Sequence, residues 1–234
     1  MTYTYDLHIH SCLSACADLL MSPNNIFNMA HLKKLDLISI TDHNSIKQYK
    51  TLECLEKSYD ICLIPGVEVT TIEDIHILIY FKHFDDAYAF DLYLEASANK
   101  NRYNVDVYGE QAITDIEDQT IATVDYLLSK PLNISVFELD AILKNYEHIK
   151  ILAHLDRMKH SALSIIDRLT FDGIELTAHR NHDAFIQKHK LDRYKILYNS
   201  DAHQLTDILE KTNKNQLELE SLSIDAFFKY FKHG

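Results

Sequence analysis

The chain has 234 residues, 47% hydrophobic and 25% charged, a balance that suits a globular domain large enough to bury a substantial core. Its formal net charge of −12 argues against a broad nucleic-acid-binding face, which needs a basic stripe to neutralise phosphates. A small phosphorylated substrate stays open, because bound divalent cations reverse the local field inside a pocket.

Met1 to Asp6 shows no basic region followed by an apolar stretch, and no apolar run reaches the ~20 residues that span a bilayer. Cys12, Cys16, Cys54 and Cys62 form no C-x-x-C pair, so reduced thiols in a cytoplasmic protein, away from any membrane, are expected. Short apolar runs alternate with segments of helical period, the pattern of a mostly parallel α/β fold. In chain order the strands are expected near Tyr5–His8, Leu37–Thr41, Cys62–Pro65, Ile75–Phe81, Lys150–Ala153, Gly173–Leu176 and Lys195–Asn199. Between them, Ser22-Pro23 reads as an N-cap with proline at the first helical position. Ser45 to Lys57 carries Ile46, Tyr49, Leu52 and Leu55 at helical spacing, and Ser135 with Glu138 forms a capping box. A last helix over Ile224 to Phe231 is expected to close a barrel. The stretch 84–133 breaks the rhythm: a helix through Tyr88, Leu92 and Leu94, then an irregular polar run from Asn99 to Asp125. It reads as an insertion or lid within a single domain over 1–234.

Asp6-Leu7-His8-Ile9-His10 puts two imidazoles on one side of an extended strand, because side chains alternate with period two. Further polar clusters follow other apolar runs: Thr41-Asp42-His43-Asn44, Gly66-Val67-Glu68 with His76 shortly after, Ala153-His154, and Ser200-Asp201-Ala202-His203. In a parallel barrel such positions lie on the C-terminal face, where active sites form. Imidazoles and carboxylates converging there are ligands for Zn, Mn or Fe.

These motifs, in this order, resemble the PHP family (polymerase and histidinol phosphatase domains) over nearly the whole chain. The resemblance implies a distorted (β/α)7 TIM-like barrel and a cluster of two to three divalent metal ions. It places His8, His10, Glu68 and Asp201 around one ion, with Glu68 bridging to a second held by His76 and His154. It assigns Asp18, His43 and His203 to a third, Asp18 being reached by counting back from Ser22-Pro23. The activity implied is hydrolysis of a small phosphorylated metabolite or nucleotide by a metal-activated hydroxide, with no extended nucleic-acid-binding surface. A nuclease acting on nucleic-acid ends and a non-catalytic metal-binding module are the alternatives. Beyond the ligands, Arg157 is a candidate phosphate clamp, against a surface ion pair with Asp156. His179 and Arg180 follow the Gly173 strand and are candidate substrate contacts, while Asp42 is a candidate for orienting a ligand or shuttling a proton. His31, His83, His148, His160, His189 and His233 lie off the strand ends and read as surface or helix-face histidines.

Overall fold

A computed structural model describes residues 1–233, with side chains described as far as Lys232. In chain order the elements are β1 (Thr2–Ile9), α1 (Pro23–Leu32), β2 (Leu37–Ile40), α2 (Tyr49–Glu56), β3 (Cys62–Leu63), β4 (Gly66–Thr70) and β5 (His76–Phe81). Then come α3 (Phe84–Ser97), α4 (Val105–Tyr108), β6 (Ala112–Thr114), β7 (Thr120–Thr123), α5 (Val136–Leu143), β8 (His148–Leu152) and β9 (Gly173–Thr177). The last are α6 (Asp183–His189), β10 (Ile196–Asn199), β11 (Gln216–Glu218) and α7 (Ile224–His233).

The fold is mixed α/β. One sheet has the order β11-β1-β2-β3 and a second the order β10-β9-β8-β5-β4. The α/β class is as expected, but the pairing does not close the expected distorted (β/α)7 barrel, for two reasons. Among the described residues the two sheets meet through single parallel bridges, Ile9 to Ala202 and His43 to Glu68, rather than through continuous ladders. In addition, β5 runs antiparallel to both β4 and β8. That reversal has a chemical consequence. His76 begins its strand, and in register it pairs with Thr70 at the end of β4 while Ile77 pairs with Leu152 at the end of β8. The start of β5 therefore lies on the same rim as the C-terminal ends of its neighbours.

The helices form where capping and apolar spacing coincide. Ser22 caps α1 by accepting from the Asn25 amide, and Ser135 and Glu138 complete their reciprocal box at α5. Tyr49, at the start of α2, reaches the sheets: its hydroxyl lies 2.7 Å from the Ile40 carbonyl and accepts from the Gly66 amide at 2.8 Å. Gly66 has no room for a side chain, because a Cβ there would stand 2.5 Å from Ser39 Oγ and 2.9 Å from the Tyr80 ring. This close approach seats β4, and so positions Glu68 two residues on. Helix α7 packs Phe227, Phe228 and Phe231 against Tyr5, Leu7 and Leu37 of one sheet and Tyr80 and Leu197 of the other. It covers both sheets.

Residues 99–125, read as irregular, contain the short α4 and the β6–β7 hairpin, which pairs with neither larger sheet. The hairpin packs Val124 with Leu13, Tyr126 and Leu128 in a small core of its own. The Ala112 amide donates to Cys12 O at 2.9 Å, which braces the loop after β1.

Candidate metal centre

Glu68 sits at the centre of the rim, 1% exposed. Its Oε1 lies 2.8 Å from His76 Nδ1, 3.1 Å from His154 Nε2 and 3.4 Å from His8 Nε2. Its Oε2 lies 3.0 Å from His43 Nδ1 and 3.4 Å from His10 Nε2. Each oxygen thus faces a different set of imidazoles. Asp201 Oδ1 adds contacts of 3.3 Å to His8 Nε2 and 3.0 Å to His10 Nε2. Among the described residues, ligand-type atoms fall into four overlapping groups: His8, His10 and Asp201; His10, His43 and His203; His43, Glu68 and His76; and, towards the surface, Asp74, His76 and His160. Eight of the nine predicted ligands are brought together, with His154 joined through Glu68. Asp18 stands apart: it is exposed, and its Oδ1 accepts from the Leu20 amide at 2.9 Å.

Surrounding hydrogen bonds settle which ring nitrogen faces the cluster. The Ser14 hydroxyl donates to Asp42 Oδ1 at 2.7 Å, so it accepts from His10 Nδ1 and leaves His10 Nε2 bare. His8 Nδ1 donates to Glu175 Oε1 at 2.9 Å, and His203 Nδ1 to the Asp201 carbonyl at 2.8 Å. This is how ligating histidines are oriented in metal sites. Asp42, a candidate for orienting or proton transfer, also accepts from the Ser11 amide at 2.8 Å and the Ser11 hydroxyl at 2.6 Å. Its bonds position Ser14 and through it His10.

The electrostatics show groups that lack a counter-charge. Burial opposes a charge on His8, yet Glu175, Asp201 and Glu68 outweigh it and hold its pKa well above the ordinary histidine value. His10 is likewise raised to about 9: desolvation and His43 oppose the charge, but Asp201 and Glu68 win. His43 is raised too, by Glu68 against its own burial. Desolvation would raise the Glu68 pKa, but the imidazoles of His76, His8 and His43 bring it well below the carboxylate range. His76, the exception, is lowered by burial to about 4 despite Glu68. Protons on buried imidazoles are thus standing where cations would. His43 Nδ1, Glu68 Oε2, His154 Nδ1 and Asp201 Oδ1 are buried atoms without a hydrogen-bond partner. Such a donor set fits divalent metal ions, which would displace those protons.

Backbone strain gathers at the same place. Asp201 and His154 hold positive φ of 55° and 26°, and Asn44 one of 50°. For His154 in particular this region is sparsely populated, and such strain marks functional sites.

The further candidates divide. Arg157 NH1 lies 2.5 Å from Asp201 Oδ2, so it joins the rim rather than pairing with Asp156. Arg180 is 62% exposed and lies 3.6 Å from Asp156 Oδ2, and His179 is exposed; the structure brings neither into the cluster. His160, read as a surface residue, stacks on His76 at 4.3 Å between centroids. His233 lies outside the residues with described side chains.

Sequence reasoning passed over three residues. Glu175 is buried in mid-strand and binds His8, Asn199 Nδ2 and the His154 amide, the last at 2.7 Å. Its signal was a carboxylate inside the apolar run Gly173-Ile174-Glu175-Leu176. Asp6, fully buried, accepts from Ser200 Oγ at 2.6 Å and the Leu209 amide at 2.9 Å, tying β1 to the loop that carries Asp201. Cys16 is exposed in the loop after β1; desolvation works against its ionisation, but the neighbouring His203 and His43 bring the thiol down to about 5. For Glu175→Gln, a near-isosteric change, we expect metal affinity to fall by roughly 10–100-fold, because one of three donors then meets an amide NH2. A competition titration against a fluorescent chelator checks it, and an unchanged affinity would remove Glu175 from the orienting role.

The architecture defines a class: the chain has the fold of PHP-like metal-dependent phosphoesterases. It superposes with a TM-score of 0.58 on a two-domain protein of Bacteroides vulgatus containing a predicted PHP-like metal-dependent phosphoesterase, at 18% identity, covering 99% of this chain and 62% of that one. It superposes with a TM-score of 0.70 on a lesion-specific endonuclease of Pyrococcus furiosus, at 20% identity, covering 99% of this chain and 56% of that one. An endonuclease Q bound to a 27-mer duplex with an abasic lesion at its active site gives a TM-score of 0.67 at 18% identity, covering 99% of this chain and 57% of that one. At these identities the likeness is one of fold. Among curated proteins, a 5'-3' exoribonuclease of Haemophilus influenzae is 35% identical over 71 residues, 30% of this chain and 25% of that protein. The chain therefore spans a quarter of that relative and little more than half of the endonucleases. No protein-family model matches it.

These neighbours correct one expectation. A small phosphorylated partner, with nucleic acid set aside, does not stand beside a fold that holds a DNA duplex in another protein. Net charge summed over a whole surface misses the field of a metal-bearing rim, which is local. No helix among the described residues is long and apolar enough to cross a membrane.

Proposed function

We propose that this chain is a metal-dependent phosphodiesterase that cleaves nucleic-acid strands. The observation that carries the reading is Glu68, whose two oxygens face five imidazoles within 3.4 Å on a fold shared with a duplex-bound endonuclease. On this reading His8, His10, Glu68 and Asp201 hold one ion, His76 and His154 share Glu68 with a second, and His43 and His203 serve a third. Bound ions would supply Lewis-acid polarisation of the phosphoryl group and a lowered pKa for the attacking water.

The chain's own residues supply the rest. Glu175 and Ser14 hold His8 and His10 with their Nε2 atoms inward, and Asp6 keeps the Asp201 loop against β1. Arg157, at the rim, is placed to trade its contact with Asp201 for a non-bridging phosphate oxygen, which its planar fork suits. The same reading takes the two bridged sheets as a barrel of the (β/α)7 type distorted at its seams. It takes 84–133 as an excursion within one domain, bordering the His43 side of the site. There Asn44 Nδ2 donates to the Leu128 and Lys130 carbonyls.

The test sets end-labelled DNA and RNA oligonucleotides, single-stranded and duplex, beside an aryl phosphate monoester, each with zinc, manganese or iron. Cleavage of an oligonucleotide that stops with chelator is the expected outcome. Release of phosphate from the monoester by metal-loaded protein that leaves every oligonucleotide intact would overturn the nuclease reading.

A further inference from the structure

The end of the sheets opposite the candidate metal centre carries a second concentration of charge, and it is cationic. His148 opens β8 and pairs with Phe81, the last residue of β5, so this end lies a strand's length from His76 and His154. Side chains alternate along a strand, so His148, Lys150 and Leu152 share one face. Leu152 packs there with Leu139 and Leu143 of α5 and with Ile174 of β9. Lys150 therefore occupies a position that suits an aliphatic side chain, and it is only 2% exposed. Well-packed hydrophobes commonly match or exceed a buried ion pair in stability, so stability alone does not account for a lysine here.

The groups around it leave donors over. Lys150 Nζ donates to Asp140 Oδ1, its one acceptor among the described residues, although an ammonium carries three N–H bonds. Asp140 Oδ2 accepts from the Thr170 hydroxyl at 2.8 Å. Asp172 is engaged likewise: Oδ1 accepts from Lys232 Nζ at 2.7 Å and Oδ2 from the Lys150 amide at 2.9 Å. Each carboxylate oxygen thus already has a donor. Lys144, exposed at the C-terminal end of α5, adds a third ammonium. His148 Nδ1 donates to the Tyr146 carbonyl at 2.9 Å, which leaves Nε2 for a further partner. All six side chains line one cavity of about 290 Å³, together with Thr170 and Phe171.

We propose that this cavity binds a small oxyanion of the phosphate class, at a site remote from the metal centre. Three ammonium groups face two carboxylates, so the cavity is positive within a chain of net charge −12. A tetrahedral anion rich in acceptors takes up the unspent N–H bonds of Lys150 and Lys232, which a cationic ligand cannot do. The volume sits at the lower edge of the ~300–1,000 Å³ typical of drug-sized ligands, which suits a phosphate group, free or carried on a mononucleotide. The inference stands apart from the nuclease reading, because none of these residues belongs to the rim around Glu68.

Isothermal titration of inorganic phosphate into the full chain tests it. Saturable binding that weakens as salt rises is expected. Lys150→Met removes the charge at similar volume and should weaken that binding roughly 10–100-fold, the effect of losing a charged hydrogen-bond partner. Lys144→Glu changes an exposed residue, so it tests the site without disturbing the fold, and it should weaken binding in the same direction. Arg157→Ala, at the opposite rim, should leave this binding in place. The His148 Cε1–H resonance should move when phosphate is added to the wild type and stay still in Lys150→Met. AMP and adenosine separate the sources of the phosphate. A site for the free ion takes phosphate and not AMP, whereas a mononucleotide site takes AMP more tightly than either phosphate or adenosine. Adenosine binding as tightly as AMP overturns the phosphate assignment. Phosphate binding that is absent, or that neither lysine variant weakens, overturns the site itself.

Discussion

Glu68→Ala is expected to lower metal-dependent hydrolysis by roughly 10³-fold or more. The carboxylate faces imidazoles on both sides, so on the proposed reading its removal would cost two ions a shared ligand, and a loss of several kcal/mol at about 1.4 kcal/mol per tenfold gives that factor. The number of ions retained should fall as well. Because Ala also leaves His8, His43 and His76 without their central partner, the variant should be less stable, in line with the cost of breaking a buried charge network. Glu68→Gln separates the two effects: it keeps the volume, so a normal melting profile with lost metal and lost rate assigns the defect to the charge. Full metal content in Glu68→Gln, together with a rate within tenfold of wild type, would remove Glu68 from the centre of the mechanism.

Loading the metal-free protein with zinc is expected to raise its Tm by roughly 8–16 °C at a free concentration about 1,000 times Kd. That ratio contributes about 4 kcal/mol to the folded state, and a chain of this size gains about 2–4 °C for each. The gain should depend on pH in a definite direction. His8, His10 and His43 have raised pKa values when folded without metal. Their contribution to the metal-free protein is therefore full below the unfolded histidine value of about 6.5 and is lost as pH rises, for His10 through about 9. Glu68 and Asp201 are depressed, so their contribution is present at neutral pH and disappears only in acid. Between pH 6 and 9 the metal-free protein should lose stability while proton competition for the ligands falls. The shift on loading should widen across that window, as differential scanning fluorimetry reads directly. A shift that is flat or narrows with rising pH contradicts the idea that protons substitute for cations in this cluster.

Much of the centre was legible because strands impose a period on side chains. His8 and His10 flank Ile9, and a buried Ile9 forces both imidazoles to the other face. His154 and Asp201 were found because each follows an apolar run. What escaped has equally physical reasons. Pro65 ended the third predicted strand, but Gly66 restarts it as β4, on the far side of a glycine contact that local pattern does not reveal. The reversal of β5 is a matter of pairing, not of propensity, so the expectation of a mostly parallel fold did not locate it even while naming His76. Glu175 looked like any strand carboxylate because its importance comes from His8 and Asn199, distant in sequence. Asp18 was reached by counting through a loop, where no period fixes orientation, and its carboxylate accepts from the Leu20 amide. The misjudged partner came from a sum over all charges, which says nothing about where they lie.

The two single bridges between the sheets leave a different mark. Ile9 to Ala202 lies between the His8–His10 pair and Asp201, and His43 to Glu68 joins two ligands outright. Were these seams continuous ladders, strand pitch would dictate the distance between facing donors. With one bridge at each, ligand separation is set by the short segments that follow the strands. Those segments can change length and sequence without altering the pairing within either sheet. Donor type and spacing can therefore be revised one loop at a time on an unchanged frame.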